Sequence, residues 1–181
     1  MRARILTYPE SAVPADLRAQ VVAFHEAAPP PHDPALCPLS MLLVADGCVL
    51  SALDILSKDL VHDGERFAAS GLSRVITDPH QRHKTYGRQL VRAARDAMAA
   101  SGADLGIFTC DPPLQQFYEY CGWQTLPGTA LIGGTPDRPL PSDRLNKIVL
   151  AGFFSAKAHT HAAAFEHSRI ALYPGAIDRL W

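Results

Sequence analysis

The densest potential chemistry in this sequence lies in residues 71–98, where a strand-like run meets a basic turn that leads into a helix. Residues 71–77 mix β-branched and small side chains and stop at Asp78-Pro79, because proline cannot continue a sheet ladder and biases the residue before it toward extended geometry. From Gly87 onward Leu90, Val91, Ala94, Ala97 and Met98 recur at helical spacing, while Arg88, Arg92 and Arg95 fall on another face. A helix starting there aims unpaired backbone N–H groups and the positive end of its macrodipole at the turn, which favours phosphate. Arg82, Lys84 and Arg88 add charge of the matching sign, and no acidic residue lies between Pro79 and Arg95. A pyrophosphate suits this combination; a solvated basic loop is the alternative.

The elements that must position this turn can be read outward from it. Residues 4–8 predict a first strand and residues 14–26 a helix, with Leu17, Val21 and Phe24 at helical intervals. The prolines of residues 27–38 make a long loop of the kind that borders a binding groove. Residues 41–45 and 48–56 predict a hairpin about Asp46-Gly47, a pair suited to a type I′ turn, and a second turn at Asp63-Gly64 leads into the central strand. The apolar run 105–110 has the pattern of a strand buried on both faces, parallel to the central strand across the intervening helix. Asp111-Pro112-Pro113 and Gly122 bracket a short helix over 114–121, with a strand starting near Trp123. Residues 128–144, rich in glycine and proline, read as a long loop; 147–153 as a strand; and 156–173 as a helix ended by Tyr173-Pro174-Gly175. The fold class is α/β (α+β), with a mixed, mostly antiparallel central sheet flanked by helices in a single domain over residues 1–181.

The 181 residues carry 17 Lys and Arg against 18 Asp and Glu, a net charge of −1, so the basic residues concentrate only locally and no nucleic-acid partner is expected. With no apolar signal core and no run long enough to span a bilayer, the expected compartment is the cytoplasm and no membrane partner is expected. Cys37, Cys48, Cys110 and Cys121 lack C-x-x-C spacing and read as reduced, mostly buried structural thiols. His159, His161 and His167 are not at the spacing of paired helical ligands, and no metal is expected.

Two stretches resemble the signatures of the GNAT N-acetyltransferase superfamily. Arg82-His83-Lys84-Thr85-Tyr86-Gly87 is similar to its Arg/Gln-x-x-Gly-x-Gly/Ala turn, with Thr85 in place of the first glycine. The run Leu114-Gln115-Gln116-Phe117-Tyr118-Glu119-Tyr120-Cys121-Gly122-Trp123 is similar to its aromatic-Tyr-x-x-x-Gly-Phe/Trp motif. The resemblance implies a GNAT-like fold, with acetyl-CoA as co-substrate. It implies that the turn Arg82, His83, Lys84, Thr85, Tyr86, Gly87 and Arg88 wraps the pyrophosphate, and that Val75, Ile76 and Thr77 face the pantetheine arm and the acetyl group. It places Tyr118 near the thioester sulfur, where a phenol, of ordinary pKa about 10, can donate to a thiolate.

Many members carry a glutamate on the central strand that relays the amine proton. Ser73 stands at that position here, and since serine is not a base without a partner, Asp54 or His80 are substitutes. The end of the chain is similar to two-prime aminoglycoside acetyltransferases, which implies acceptor contacts from Asp178 and Trp181; docking of a terminal helix by Trp181 is the alternative. Arg74 argues for a neutral or acidic acceptor unless Asp178 compensates. The implied function is N-acetyl transfer to a primary amine of a small molecule by direct attack. A noncatalytic acyl-CoA-binding module and a protein or peptide N-acetyltransferase are the alternatives. A homodimer is compatible with the family, although no segment marks a dimer surface.

Overall fold

The computed structural model describes residues 3–173. A first strand, β1 (Arg4–Pro9), pairs antiparallel with β2 (Leu39–Ala45), and between them runs α1 (Ala15–Ala23) followed by the proline-rich loop. β2 turns into β3 (Cys48–His62) at Asp46-Gly47, and β3 into β4 (Glu65–Thr77) at Asp63-Gly64. All four turn residues have positive φ, between 49° and 79°, as type I′ turns require. Helix α2 (Tyr86–Ala100) then crosses over to β5 (Leu105–Cys110). A short α3 (Gln115–Glu119) leads to β6 (Gln124–Thr125), and β9 (Ile148–Phe153) inserts between β5 and β6. The sheet order is β1-β2-β3-β4-β5-β9-β6, and β4–β5 is its one parallel pair.

Alternation along β2 and β3 supplies a core on each face of the sheet. Leu42, Val44, Val49 and Ala52 pack under α1 with Leu17, while Leu43, Leu50 and Leu53 join Leu90, Val91, Ala94 and Met98 of α2. Ala97, expected in that stripe, is exposed; Arg95 is drawn toward the interior, where its guanidinium lies 5.3 Å from the Phe154 ring centroid.

Two sequence expectations are corrected. Residues 128–144 are not a loop: they contain the hairpin β7 (Ala130–Thr135) and β8 (Arg138–Pro141). β8 is an edge strand, where Pro139 and Pro141 need give up no ladder bond, and Gly134 has φ +76 at the close approach to the Arg138 carbonyl. Residues 156–173 are not one helix either. α4 (Ala156–His161), capped by the Ser155 hydroxyl, gives way to a 3-10 turn and then to β10 (Arg169–Ala171), parallel to β7. The alanines favour helix, but the fully buried Ile170 completes the core, and tertiary pairing overrides propensity.

The feature that creates a site is the short contact between β4 and β5. They pair only at Ala69–Leu105 and Ser70–Gly106 and then part. Below the pairs Asp104 staples β4, its carboxylate accepting the Ala68 N–H at 2.8 Å. At the point of parting the Trp123 ring lies over Gly106, so close that a β-carbon on Gly106 would fall 2.6 Å from it. Gly106→Ala is therefore expected to overpack this junction and destabilise the protein by roughly 1–3 kcal/mol, read as a lower urea midpoint at unchanged slope.

Candidate active site

Beyond Ser70, β4 residues 71–77 have no strand partner on the β5 side among the described residues, so their outward backbone groups face a gap. The gap opens into a cleft of about 550 Å³, lined by Val75, Ile76 and Thr77 on one wall and Leu114, Phe117 and Tyr118 on the other. Its floor is residues 81–88, the basic turn and the first turn of α2. All the residues expected at the cofactor, Val75, Ile76, Thr77, Arg82, His83, Lys84, Thr85, Tyr86, Gly87 and Arg88, thus line one cavity together with Tyr118. Arg82, His83, Lys84 and Arg88 are exposed, so the guanidinium and ammonium groups of Arg82, Lys84 and Arg88 are open to an anionic ligand.

The turn is shaped by left-handed residues. His83 and Thr85 have φ +64 and +66, and Thr85 is the N-cap of α2. A β-branched residue there costs roughly 1–2 kcal/mol. Thr85 thus takes a left-handed conformation that glycine adopts without strain, while its hydroxyl accepts from Gln89 at 3.1 Å. Gly87 lets α2 close on β4: a β-carbon there would meet Thr77 Oγ1 at 3.0 Å and Phe117 at 3.5 Å. Ser51, buried on β3, fixes Thr77 through a hydroxyl–hydroxyl bond of 3.1 Å.

Tyr118 is 6% exposed and sits edge-on to Phe108 and Phe117, each 5.0 Å away between ring centroids. Burial, with smaller contributions from Cys110, Cys121 and Asp111, pushes its phenol well above the ordinary range, so the O–H persists at any physiological pH. Burial likewise pushes the Cys110 thiol up to about 11 and raises Cys121, which leaves neither a thiolate. Only two of the four cysteines are buried, however; Cys37 and Cys48 are exposed.

A second, polar cluster forms at the next residues of β4. Asp54 on β3 faces Ser73, and Ala52 faces Ile76, so Leu53 stands opposite two residues, Arg74 and Val75. This bulge puts Arg74 at φ +50 and redirects its side chain. Arg74 Nη1 donates to Glu10 at 3.2 Å and lies 3.9 Å from Asp54, and a second nitrogen donates to the Pro30 carbonyl. His32, from the proline-rich loop, reaches Glu10 Oε1 with Nδ1 (3.0 Å) and Ser73 Oγ with Nε2 (3.1 Å). Burial raises the Asp54 carboxyl, against the Ser40 hydroxyl that donates to it at 2.6 Å and the neighbouring His32 ring and Arg74 guanidinium. Glu10, His32 and Asp54 bring their ligand-type atoms within 4.8 Å of one another, and the Arg74 guanidinium supplies positive charge among them.

Glu10, Ser40, Asp54 and Arg74 also line a cavity of about 140 Å³ beneath α1, walled by Val13, Val21, Leu42 and Ala52. Burial and then Arg74 lower the pKa of His25 in its lining. Arg74 lines this cavity and its neighbour Val75 lines the cleft.

Residues 7–126 match the family of acetyltransferase (GNAT) domains. The chain belongs to the GNAT acetyltransferase family. GNAT members use acetyl-CoA or another acyl-CoA as co-substrate, and the basic turn, the unpaired β4 backbone and the close approach at Gly87 fit such a molecule. Among solved structures the GNAT fold recurs in an acyl-CoA N-acyltransferase from Pseudomonas aeruginosa (TM-score 0.53, 17% identity, 83% of this chain and 99% of that one). It recurs in the ribosomal-protein-S18-alanine N-acetyltransferase from Escherichia coli (0.53, 16%, 85% and 95%). In a GCN5-related N-acetyltransferase from Kribbella flavida (0.53, 17%) the match covers 70% of this chain, which spans only 34% of that protein. No curated protein sequence matches the chain.

On this GNAT frame the sequence-derived candidates divide. Ser73 lies on the polar cluster, outside the cleft lining, and Asp54 lies beside it. His80 is exposed and its backbone N–H is taken by Asp78, so it joins neither cavity. Asp178 and Trp181, which carried the aminoglycoside likeness, lie outside the described residues. The charge of Arg74 is met by Glu10 and Asp54 instead. Glu10 and His32 escaped sequence reading because they stand 22 residues apart and 41 or more from Ser73; only the proline-rich loop hinted that something there meets the groove.

Thr85→Gly is expected to relieve the left-handed strain, raising stability by up to about 1 kcal/mol and tightening coenzyme A binding, as denaturation and calorimetric titration would show.

Proposed function

We propose that this GNAT protein is an acetyl-CoA-dependent N-acetyltransferase that acts on a primary amine of a small molecule by direct attack in a ternary complex. The observation that supports this most is the adjacency of the two cavities across the Arg74 bulge. Arg74 lines a small, mainly apolar cavity with Glu10 and Asp54, and the next residue, Val75, lines the cleft suited to an acyl-CoA. Holding two reactants side by side supplies much of what such a transfer requires.

Arg82, Lys84 and Arg88, with the N–H groups that open α2, would hold the pyrophosphate. Backbone groups of Val75, Ile76 and Thr77 would run along the pantetheine arm and orient the acetyl carbonyl. Tyr118, held protonated by its burial, would donate to the departing sulfur. Because its phenol is raised, its contribution is a hydrogen bond to developing negative charge more than early proton transfer.

The acceptor cavity, about 140 Å³, is near the size that encloses a benzene-sized group, which favours an acceptor whose amine-bearing end is small and largely apolar. With Arg74 neutralised by Glu10 and Asp54, a cationic amine need not be repelled.

Titration calorimetry with acetyl-CoA, coenzyme A and dephospho-coenzyme A, followed by thiol release with pooled primary amines, tests the reading. Binding with amine-dependent release is expected; binding without release from a broad pool would make the protein a noncatalytic acyl-CoA binder. Tyr118→Phe is expected to lower kcat by roughly 10²- to 10⁴-fold while leaving coenzyme A affinity within about twofold.

A further inference from the structure

We infer that Glu10, His32 and Ser73 form a proton relay serving the acceptor amine, with the Ser73 hydroxyl meeting the amine and His32 taking the proton. This rests on the transferase reading above. The residue at the expected base position, Ser73, cannot act alone, and the structure supplies its partner from a loop 41 residues away. The Glu10 carboxylate accepts both the His32 backbone N–H, at 3.1 Å, and His32 Nδ1–H, at 3.0 Å. A carboxylate only accepts, so Nδ1 carries the proton and Nε2 of the neutral ring is left to accept from Ser73 Oγ–H. Arg74 donates to the same Glu10 oxygen and holds that carboxylate in place.

The order serine, imidazole, carboxylate is that of a hydrolytic triad, and here it ends at the β4 bulge, one residue from Arg74 and two from the cleft wall at Val75. In the transfer a neutral amine forms its bond to the acetyl carbon, the carbon–sulfur bond breaks, and the nitrogen passes its extra proton to Ser73 Oγ as the serine proton moves to His32 Nε2. His32 then returns it to solvent, while the thiolate is protonated from the Tyr118 side. Glu10 is a positioning residue. The charged groups that face His32 are Glu10 at 3.0 Å, Asp54 at 3.7 Å, and Arg74, which lies within 4 Å of both carboxylates. His25 and Arg18 line the cavity beneath α1 together with Glu10, Asp54 and Arg74.

The test combines nitrogen NMR of the histidine rings with pH profiles. Neutral His32 is expected as the Nδ1–H tautomer, with an Nε2 shift that moves in Ser73→Ala; an Nε2–H tautomer would overturn the relay whether or not the protein turns over. In kinetics, the wild type is expected to show a kcat/KM limb that rises with pH. His32→Gln and Ser73→Ala should each lower kcat about 10²-fold and His32→Gln should abolish the limb, with acetyl-CoA KM unchanged. Ser73→Thr should recover activity, and Glu10→Gln should shift the limb to lower pH. Wild-type turnover with an unaltered profile in His32→Gln would refute the relay, as would an acetyl group found on Ser73 after exposure to acetyl-CoA alone. Absence of any wild-type thiol release would instead refute the transferase reading, leaving the tautomer to decide the relay.

Discussion

The structure depends on the early parting of β4 and β5. Two parallel residue pairs and the Asp104 staple hold the strands together at one end. From there Trp123 packs on Gly106 and lies edge-on to Phe108. A parted pair leaves backbone donors and acceptors without partners, a costly arrangement in a dry interior. It is tolerated here because the gap is an open cleft whose polar edges are available to an extended ligand. The site thus follows from an incomplete sheet, with α2 aimed at its mouth and Gly87 allowing the helix to approach Thr77.

The second constraint is the bulge at Arg74. Without the extra residue, β4 would keep its alternation and Ser73 and Arg74 would point to opposite faces. With it, both serve one cluster in which Glu10 binds His32 and Arg74, and His32 binds Ser73. The same bonds tie the proline-rich loop to the sheet, since Arg74 also donates to Pro30. Loop position and local charge balance are therefore one arrangement, and losing either acid or guanidinium would leave a partly buried charge uncompensated.

Much of this was legible in the sequence because the signals were local. The Asp-Gly turns, the Pro79 break, the α2 stripe and the run 105–110 predicted β2 to β5 and their order, whereas placing Phe117-Tyr118 beside the basic turn rested on the GNAT resemblance. What was missed depends on distant partners. The prolines of 139 and 141 resemble loop punctuation until β8 is known to be an edge, and the alanines after Ala156 resemble helix until Ile170 is known to fill the core. Nothing local marks Glu10 or His32, since their roles arise only when the fold brings them to Ser73. Thr85 was legible as a departure, but its left-handed conformation was not.

The most direct test of the account is hydrogen–deuterium exchange with and without coenzyme A. The predicted result is protection confined to residues 71–77 and 82–88, the unpaired edge of β4 and the turn opening α2. Unchanged exchange there in the presence of saturating coenzyme A, or protection confined to another surface, would contradict the assignment of this cleft.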